Sequence, residues 1–430
     1  MNNTTAARNP QPAGSNLGVY SEVGRLEKVL VHQPGWEHRR MIPWNREAML
    51  CDDILDIETA RPEHKGFVQK MRALGIEVLY FLDLLKDVCA DPVQHAEIVE
   101  AVTPNGLPPG MNPLSIQPTN LVIGYPAHYR FGETVLLEPT VNLYFMRDPS
   151  FFITDKLIIS SPKMPIRQRE AYLMRELVRR HPIFAGVEVY DGILNDPEAT
   201  IEGGDVLIPD ERTVMVGISE RTNDRGATML AEYLFEHTSI ERLFKVHIPK
   251  RHEYMHLDTL LTFVDRQQIV TLPYIWEQRE LYQRVVGEVR EQVARLGATY
   301  TGPPEEIYTE CPWLEVMFQD GKTKRYDNAI QGMAELGVVV PEITVTVGGD
   351  RAQYDSVEEH ILEALREQWN DGANTFALKP GHVITYDRNG RTIRGLEDVM
   401  VEVTKFRGGE LVRGRGGARC MTMPLKRGRI

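Results

Sequence analysis

A cysteine close to the end of the chain is the strongest candidate for a catalytic nucleophile. Cys420 follows residues 416–418, which read Gly-Gly-Ala, and is flanked by Arg415 and Arg419. Glycine lets the backbone adopt unusual dihedral angles and approach a ligand closely, and neighbouring cations favour the thiolate, the form of cysteine that attacks. The same pattern also fits a buried cysteine beside two solvated arginines, so the residues alone leave both interpretations open.

The other cysteines, Cys51, Cys89 and Cys311, lack such surroundings, and we expect them to be structural. The sequence contains no C-x-x-C pair. This absence disfavours a disulfide framework or a cysteine-ligated zinc site and indicates a reducing cytoplasm as the location.

A histidine and an aspartate two positions apart form a second candidate group. His256 and Asp258 stand in MHLDTLL, and in a strand their side chains would point to the same face. A histidine that titrates near neutral pH beside a fixed carboxylate is suited to acid/base catalysis. A hydrogen-bonded histidine at a strand end is the commoner outcome for an isolated pair of this kind.

Two further stretches place carboxylates beside glycine or arginine. Glu202 and Asp205 enclose two glycines in EGGD, which indicates a tight backbone beside a pocket or a turn into the next strand. Arg147 and Asp148 form a surface ion pair, or Asp148 is a carboxylate that awaits a cationic ligand. No H-E-x-x-H motif, EF-hand loop, P-loop, Rossmann fingerprint or G-x-S-x-G elbow occurs, so neither a metal nor a cofactor is expected.

Short apolar runs and helical patterns alternate along the whole chain and must position these groups. Strand pairs recur around short turns, as in IPDERTVMVG, which favours one α/β architecture with a repeated strand–strand–helix–strand unit. The predicted strands are residues 28–32, 78–81, 157–160, 213–216, 268–271, 338–340, 382–386 and 399–403. The predicted helices are residues 58–74, 167–180, 226–235, 276–296 and 357–369.

Composition bounds the remaining possibilities. The net charge of −12 disfavours nucleic acid or an anionic membrane as the main partner, and no apolar stretch is long enough to span a bilayer. Residues 1–16 are polar and are predicted to be a flexible tail without a secretory signal. Residues 17–430 are predicted to be a single catalytic domain. Within it, residues 86–141 contain eight prolines and are predicted to be an insertion or lid with only short helices, such as residues 92–102.

Taken in order, the motifs resemble those of bacterial arginine deiminases, which belong to the guanidino-group-modifying, amidinotransferase-like superfamily. The resemblance runs from VYSEVGRLEKVLVHQPG through DDILDIETARPEHKGFV, NLYFMRDPSF, IEGGDVLI, GISERTN and MHLDTLLTF to GRGGARCMTMPLKR. It implies a five-bladed pseudo-symmetric α/β propeller of ββαβ modules, with an insertion after the first module. It also implies hydrolysis of L-arginine to L-citrulline and ammonia through a covalent thiouronium intermediate, without a cofactor. A homo-oligomer remains open.

The resemblance also implies catalytic roles. Cys420 matches the nucleophile and His256 the general acid/base. Asp148 and Asp258 match the carboxylates that hold the guanidinium, and Glu202 matches the carboxylate that supports the histidine.

For the amino-acid end of the substrate, Arg167 and Arg221 match the arginines that bind the α-carboxylate, with Asn142 beside them. Asp205 matches a supporting carboxylate behind Glu202. Arg415 matches a mobile arginine that contacts the cysteine in the empty enzyme.

Some features depart from the family pattern. The family carries a five-helix insertion, whereas residues 86–141 are shorter and rich in proline. Met146 and Val141 stand where threonine and proline are common. The alternatives are an amidinotransferase, a dihydrolase that converts arginine to ornithine, and a ligand-binding propeller without activity. The EGGD motif favours the deiminase over the transferase.

Overall fold

The computed structural model describes residues 16–103, 105–126, 135–276, 279–302 and 311–430. Within these ranges the strands form five sheets, and helices fill the connections between them. The predicted tail at residues 1–16 lies outside the described residues except for Asn16. The prediction of an α/β fold is therefore confirmed for the part of the chain that is described.

In chain order the strands are β1 Leu26–Val31, β2 Glu77–Tyr80, β3 Ser150–Ile153, β4 Lys156–Ile159, β5 Glu188–Tyr190, β6 Val206–Asp210, β7 Thr213–Ile218, β8 Arg242–His247, β9 Leu261–Asp265, β10 Gln268–Thr271, β11 Trp313–Phe318, β12 Thr323–Tyr326, β13 Val345–Thr346, β14 Phe376–Lys379, β15 His382–Tyr386, β16 Glu402–Phe406 and β17 Met423–Arg427. The helices are α1 Ile57–Ala73, α2 Phe81–Cys89, α3 Pro92–Val102, α4 Asn120–Ile123, α5 Pro165–Arg180, α6 Asp224–His237, α7 Arg279–Arg295, α8 Ala329–Glu335, α9 Val357–Trp369 and α10 Gly390–Asp398.

Each of these sheets contains the same ββαβ unit. An antiparallel pair of strands comes first, and a third strand then pairs in parallel with the second. In the unit formed by β3, β4 and β5, for example, Leu157 pairs with Phe152 on one side and with Val189 on the other. Because parallel neighbours cannot be joined by a tight turn, α5 crosses between β4 and β5. The predicted strand–strand–helix–strand repeat is confirmed.

The two ends of the chain meet in one unit. β17 pairs antiparallel with β1, and β1 pairs in parallel with β2 after the crossover through α1. The segment that precedes β17, which carries Cys420, is therefore held against the N-terminal strand.

One unit carries an inserted hairpin. Between β10 and its parallel partner β13, the chain forms α7, β11, β12 and α8. β11 pairs with β8 and thereby extends the neighbouring sheet to five strands.

Two strands lie at other positions than we predicted. Residues 338–340 follow α8 without a paired strand, and the strand of that unit is Val345–Thr346. Val338 and Val339 are buried because they pack into the core, and an apolar run alone does not distinguish packing from strand pairing. Residues 399–401 likewise follow α10, and the strand begins at Glu402.

The proline-rich segment has more helix than we predicted. α3 matches the predicted helix at residues 92–102, with Asp91 accepting hydrogen bonds from the backbone N–H groups of Val93 and Gln94. α2 begins at Phe81, ahead of the predicted start of the insertion at residue 86. Both helices contact α5, so this segment packs onto the second unit. Among the described residues, no helix is long and apolar enough to cross a membrane.

Candidate active site

The same end of every ββαβ unit carries the candidate catalytic side chains. In each unit they lie just before the strand that opens it, and all of them are buried. The residues are Asp148 before β3, Glu202 before β6, His256 and Asp258 before β9, Asn374 before β14, and Cys420 before β17.

On one side of the pocket, a histidine lies between two carboxylates. His256 Nε2 is 3.0 Å from Glu202 Oε2, and His256 Nδ1 is 3.8 Å from Asp148 Oδ1. Burial opposes the charged form of His256, but Asp148, Glu202 and Asp205 raise its pKa to about 9. Burial likewise opposes ionisation of Glu202, yet the hydrogen bond and charge of His256 lower its pKa to about 2. The pair is therefore ionised at neutral pH.

The glycines of the EGGD motif lie beside the pocket, which is one of the two interpretations that the sequence allowed. They let Asp148 and His256 come close to the backbone. The backbone N–H of Gly204 donates to Asp148 Oδ1 over 3.1 Å. A Cβ atom at Gly204 would lie 2.5 Å from His256 Nδ1 and 2.9 Å from Asp148 Oδ1, so a larger residue would displace both.

The His256–Asp258 pair is not on a strand, so the same-face geometry considered for it does not apply. His256 precedes a short 3₁₀ helix, Leu257–Thr259, because Asp205 accepts a hydrogen bond from the backbone N–H of Leu257 over 2.9 Å and holds a turn there. The two side chains consequently contact different partners, with His256 at Glu202 and Asp258 at the cysteine.

On the other side of the pocket, Cys420 Sγ lies 3.7 Å from Asp258 Oδ2. The same oxygen accepts a hydrogen bond of 2.8 Å from Arg419, which is also paired with Glu22. Asp258 Oδ1 has no hydrogen-bond partner among the described residues. This buried carboxylate oxygen is free to accept hydrogen bonds from a ligand.

The expectation that the neighbouring arginines favour the thiolate is wrong for the empty site. Burial raises the pKa of Cys420 well above its ordinary value, and the charges of Asp258, Asp148 and Asp371 raise it further. Arg419 does not counter this effect because its guanidinium is bound to Glu22 and Asp258. The thiol of Cys420 is therefore neutral at neutral pH in this arrangement.

Asn374 is a site residue that the sequence analysis missed. Its Oδ1 accepts a hydrogen bond of 3.1 Å from the backbone N–H of Cys420, and its Nδ2 donates to the backbone carbonyl of Asp258 over 3.1 Å. Asn374 thus joins the nucleophile's loop to the turn that carries Asp258. Its place before β14, equivalent to that of Glu202 before β6, is the signal that could have identified it.

Arg167 lies inside the carboxylate cluster. Its Nη1 is 2.7 Å from Asp148 Oδ2 and 3.5 Å from Glu202 Oε2, and its Nε donates to Glu170 over 2.9 Å. Arg167 Nη2 donates to the backbone carbonyl of Asn142 over 3.4 Å. Arg167 is thus already paired with three acidic side chains. Its role toward a substrate carboxylate stays a prediction.

Two other predicted arginines have unpaired nitrogens among the described residues. All three guanidinium nitrogens of Arg415 are buried without a hydrogen-bond partner, and the group lies 3.7 Å from the ring centre of Trp369. No hydrogen bond joins Arg415 to Cys420, contrary to the expectation for the empty site, because the guanidinium is stacked on the tryptophan instead. Arg221 is buried, and its Nε lacks a hydrogen-bond partner although Glu220 Oε2 lies 4.0 Å from it.

Arg221 and Arg415 lie near one carboxylate, Asp52. Burial raises the pKa of Asp52, but its hydrogen bond to His252 and the charges of Arg415 and Arg221 lower it overall. The two arginines therefore share one region of the pocket. Asn142 lies at the edge of the site, where its Nδ2 donates to the backbone carbonyl of Met49 over 2.7 Å.

Two further buried carboxylic acids, Asp205 and Asp371, lie close to His256 and Cys420 respectively. Asp205 accepts a 2.7 Å hydrogen bond from Ser219, and burial raises its pKa to about 7. Burial also raises the pKa of Asp371 to about 7, although Arg415 opposes the shift. The thiols of Cys51 and Cys89 have pKa values raised by burial to about 12 and 11.

Asp148, Glu202 and His256 are also spaced as metal ligands, with one ligand atom of each within 4.8 Å of the others. Their acceptor atoms are directed at cationic groups, since Asp148 pairs with Arg167 and Glu202 pairs with His256. The cluster is therefore charge-compensated by the protein's own side chains.

Comparison with known proteins places this geometry in a family. The family model described as arginine deiminase matches residues 47–106 and 126–427. The arginine deiminase of Limosilactobacillus fermentum is 31% identical over 440 residues, which cover 96% of this chain and 99% of that protein. The arginine deiminase of Bacillus cereus strain B4264 is 31% identical over 441 residues, which cover 96% and 98%. The family match leaves out residues 107–125, inside the proline-rich segment.

Solved structures share the fold at lower identity. An amidinotransferase of saxitoxin biosynthesis from Microseira wollei superposes with a TM-score of 0.53 at 15% identity, covering 96% of this chain and 97% of that chain. The N-terminal domain of an arginine dihydrolase from the cyanobacterial ornithine–ammonia cycle gives 0.52 at 13%, covering 93% and 98%. The predicted resemblance is confirmed, and the chain belongs to the arginine deiminase family.

Proposed function

We propose that this protein is an arginine deiminase, a hydrolase that converts L-arginine and water to L-citrulline and ammonia. The observation that carries the proposal is the Oδ1 of Asp258, which has no hydrogen-bond partner among the described residues, while Oδ2 of the same carboxylate lies 3.7 Å from Sγ of Cys420 and Asp148 and Glu202 are already paired with cations. A buried acceptor beside a neutral thiol suits a planar cation with several N–H donors, which describes a guanidinium.

Substrate binding also activates the nucleophile in this proposal. Asp258 and Asp148 would hold the guanidinium between them, so that its central carbon lies beside Sγ of Cys420. The charges of these two carboxylates raise the pKa of the thiol. An arriving cation compensates those charges and thereby lowers that pKa. Deprotonation of Cys420 is thus coupled to the presence of the correct ligand.

The reaction then proceeds in two halves. The thiolate forms a bond to the guanidinium carbon, and the C–N bond to one terminal nitrogen breaks as His256 donates a proton and ammonia leaves. A water molecule then attacks the thiouronium carbon, His256 takes a proton from the water, and the C–S bond breaks to release citrulline. Glu202 stabilises the charged form of His256 throughout, since its carboxylate lies 3.0 Å away.

For the amino-acid end of arginine, we propose that Arg221 and Arg415 provide the cationic surface for the α-carboxylate. Both are buried and have guanidinium nitrogens without a hydrogen-bond partner among the described residues, although Glu220 lies 4.0 Å from Nε of Arg221. Arg167 contributes mainly by compensating Asp148, Glu170 and Glu202. In this proposal, Asn142 lies at the rim and Asp205 supports the turn that carries His256.

We further propose that the five units are arranged as the blades of a pseudo-symmetric propeller around this pocket. Contacts of β17 with β3 and of β14 with β9 place opening strands of different units side by side, which supports the arrangement. A role of the proline-rich segment as a lid, a cytoplasmic location and a homo-oligomeric state stay predictions.

One assay tests the activity. The protein incubated with free arginine should yield citrulline and one equivalent of ammonia. Ornithine would indicate a dihydrolase, a requirement for an acceptor amine would indicate an amidinotransferase, and no turnover at all would contradict the proposal. Mass spectrometry of a rapidly quenched reaction should show an amidino adduct on the Cys420 peptide, which the Cys420→Ser variant should lack.

A further inference from the structure

A second cleft lies on the first unit, lined by the loop after β1, one face of α1 and the proline-rich segment. It has a volume of about 1760 Å³ and includes Arg40, Arg61, Lys65 and Arg72 among its lining residues, while the candidate catalytic residues are not among them. We call it the Arg40 cleft.

Arg40 is the unusual residue of this cleft. Its Nε, Nη1 and Nη2 are all shielded from solvent and have no hydrogen-bond partner among the described residues. The guanidinium lies against Gly124, since a Cβ atom built on that glycine would be 3.3 Å from Nη1. Removing a guanidinium from water without a counter-charge is costly, so such a group marks a place where an anion would be stabilised.

Only one other arginine of the described chain has all its guanidinium nitrogens buried without a partner, and that is Arg415. Arg415 lies in the candidate active site, where the proposed substrate brings a carboxylate. The equivalent state of Arg40 points to a second anion site in a different cavity.

The polar side chains of α1, three of which are cationic, support an anion site because they lie along one face of the helix. Arg61, Lys65, Gln69 and Arg72 follow one another at intervals of three or four residues and all line the cleft. No ion pair is recorded for Arg61 or Lys65 within the described residues, whereas Arg72 donates to the backbone carbonyl of Val78.

The acidic residues of the cleft have other partners. Glu37 accepts hydrogen bonds from His32 and from the backbone N–H of Gly35. Asp83 lies 3.9 Å from Lys86. Glu138, the third of these acids, is close enough to Arg169 for its negative charge to favour the charged form of Arg169. The positive charge of the cleft is therefore less compensated than its negative charge.

We propose that the Arg40 cleft binds a small, multiply charged oxyanion, with Arg40 at the buried end and the α1 cations at the open end. Apolar residues such as Met49, Val122 and Ile123 also line the cleft, so there is room for an uncharged body attached to the anionic group. Phosphate-type and polycarboxylate ligands share this chemistry. The inference does not depend on the proposed deiminase activity.

The test is the thermal midpoint of the full chain titrated with pyrophosphate in one arm and citrate in the other, with sodium chloride at matched ionic strength. A saturable rise on the order of 2 °C is expected for at least one probe. Pyrophosphate alone would assign a phosphate-type ligand, citrate alone a polycarboxylate, and both a general oxyanion site. Absence of a saturable rise with either probe would overturn the proposal.

The variant Arg40→Met separates specific binding from the general stabilisation that such salts give to many proteins. It should lose the saturable rise, and its midpoint without anion should equal or exceed that of the unaltered protein because an unpaired buried charge is gone. An unchanged response to the probes in Arg40→Met would overturn the proposal.

A second variant covers the case in which Arg40→Met does not fold. Arg61→Gln combined with Lys65→Gln changes only exposed side chains and should weaken probe binding severalfold. The matched control is Lys70→Gln, which alters an exposed lysine of α1 that is not among the cleft's lining residues and should leave probe binding unchanged. Equal binding by the double variant and the control would contradict the site.

Discussion

On the His256 side of the pocket Asp148 and Glu202 are paired with cations, whereas on the Cys420 side Asp258 and Asp371 each have a carboxylate oxygen without a hydrogen-bond partner among the described residues. Asp148 pairs with Arg167, and Glu202 pairs with a protonated His256. Asp258 pairs with Arg419 through Oδ2 only, and its Oδ1 has no partner in the described structure. The charge that is missing on the Cys420 side is the charge that a guanidinium supplies. The comparison predicts that the two sides respond differently to mutation.

The largest effect should follow from Asp258→Asn. The amide presents N–H donors to a substrate that itself donates, and the guanidinium carbon is displaced from the thiol. We expect kcat to fall by roughly 10²–10³-fold, since misplacement of the reacting atoms affects the attack itself. Steady-state kinetics with arginine measure this loss.

Because Asp258 is fully buried and bound to Arg419, its loss also weakens a buried ion pair. Glu22→Gln is the matched control, since it disturbs the same Arg419 network without altering a group that faces the thiol. Its thermal midpoint should fall while most of the rate per folded molecule remains. Equal losses of activity in both variants would assign the effect to Arg419 and contradict the role of Asp258.

Asp148→Asn should reduce kcat by about 10²-fold and should also lower the pKa of His256. Asp148 contributes the largest of the charges that raise the pKa of His256, ahead of Asp205 and Glu202. The pKa of His256, followed by NMR titration of its ring, should therefore fall in Asp148→Asn and change less in Asp258→Asn. The same shift in both variants would remove the distinction between the two sides.

Arg221→Ala tests the amino-acid end of the pocket. Loss of a buried charge-assisted contact should raise KM for arginine by roughly tenfold to a hundredfold, with a much smaller effect on agmatine, which lacks the α-carboxylate. Arg225→Ala is the control, because this arginine is exposed and pairs with Asp196 at the surface. Equal effects of Arg221→Ala on both substrates would contradict the assignment.

The sequence identified the groups that stand in distinctive local motifs, and it missed those defined by distant contacts. Cys420 and Glu202 lie beside glycines that mark close backbone approach, so local patterns were enough to select them. The pairing of Arg419 with Glu22 joins residues 397 positions apart, and no local pattern indicates it. This contact is why the predicted activation of the thiol by neighbouring arginines is wrong.

The fold shows the same limit. The repeated unit was predictable because hairpins and crossover helices have local signals. The strand Val345–Thr346 was missed because two residues are too few to show a period, and the apolar run before it packs without pairing.

Asn374→Ala should have a smaller effect, about tenfold on kcat, because it loosens the loop of Cys420 without removing a reacting group. Asn374→Asp keeps the shape but places a carboxylate near the thiol, so the pKa of Cys420 should rise in this variant alone, which the pH dependence of its alkylation by iodoacetamide measures. Asn389→Ala is the control, since Asn389 is equally buried and holds a backbone carbonyl at Asn370. Identical pH profiles of alkylation for the two Asn374 variants would leave Asn374 with a purely structural role.

The smallest effect concerns the stability of the folded chain and depends on the His256–Glu202 pair. The pKa of His256 is raised from 6.5 to about 9 in the folded state, so its contribution is fully present below pH 6.5 and is lost as the pH rises through 9. The pKa of Glu202 is lowered from 4.5 to about 2, so its contribution is present above pH 4.5 and is lost as the pH falls through 2.

The difference in the free energy of unfolding between the unaltered protein and His256→Gln should therefore be greatest between pH 4.5 and 6.5. We expect it to decline by an amount on the order of 1–3 kcal/mol as the pH rises to 9. Urea unfolding at a series of pH values measures this difference. His360→Gln is the control, because burial lowers the pKa of that histidine and the alkaline decline should be absent. A difference between the unaltered protein and His256→Gln that stays constant from pH 6.5 to 9 would mean that His256 is neutral in the folded protein, and the proton for the departing nitrogen would then need another source.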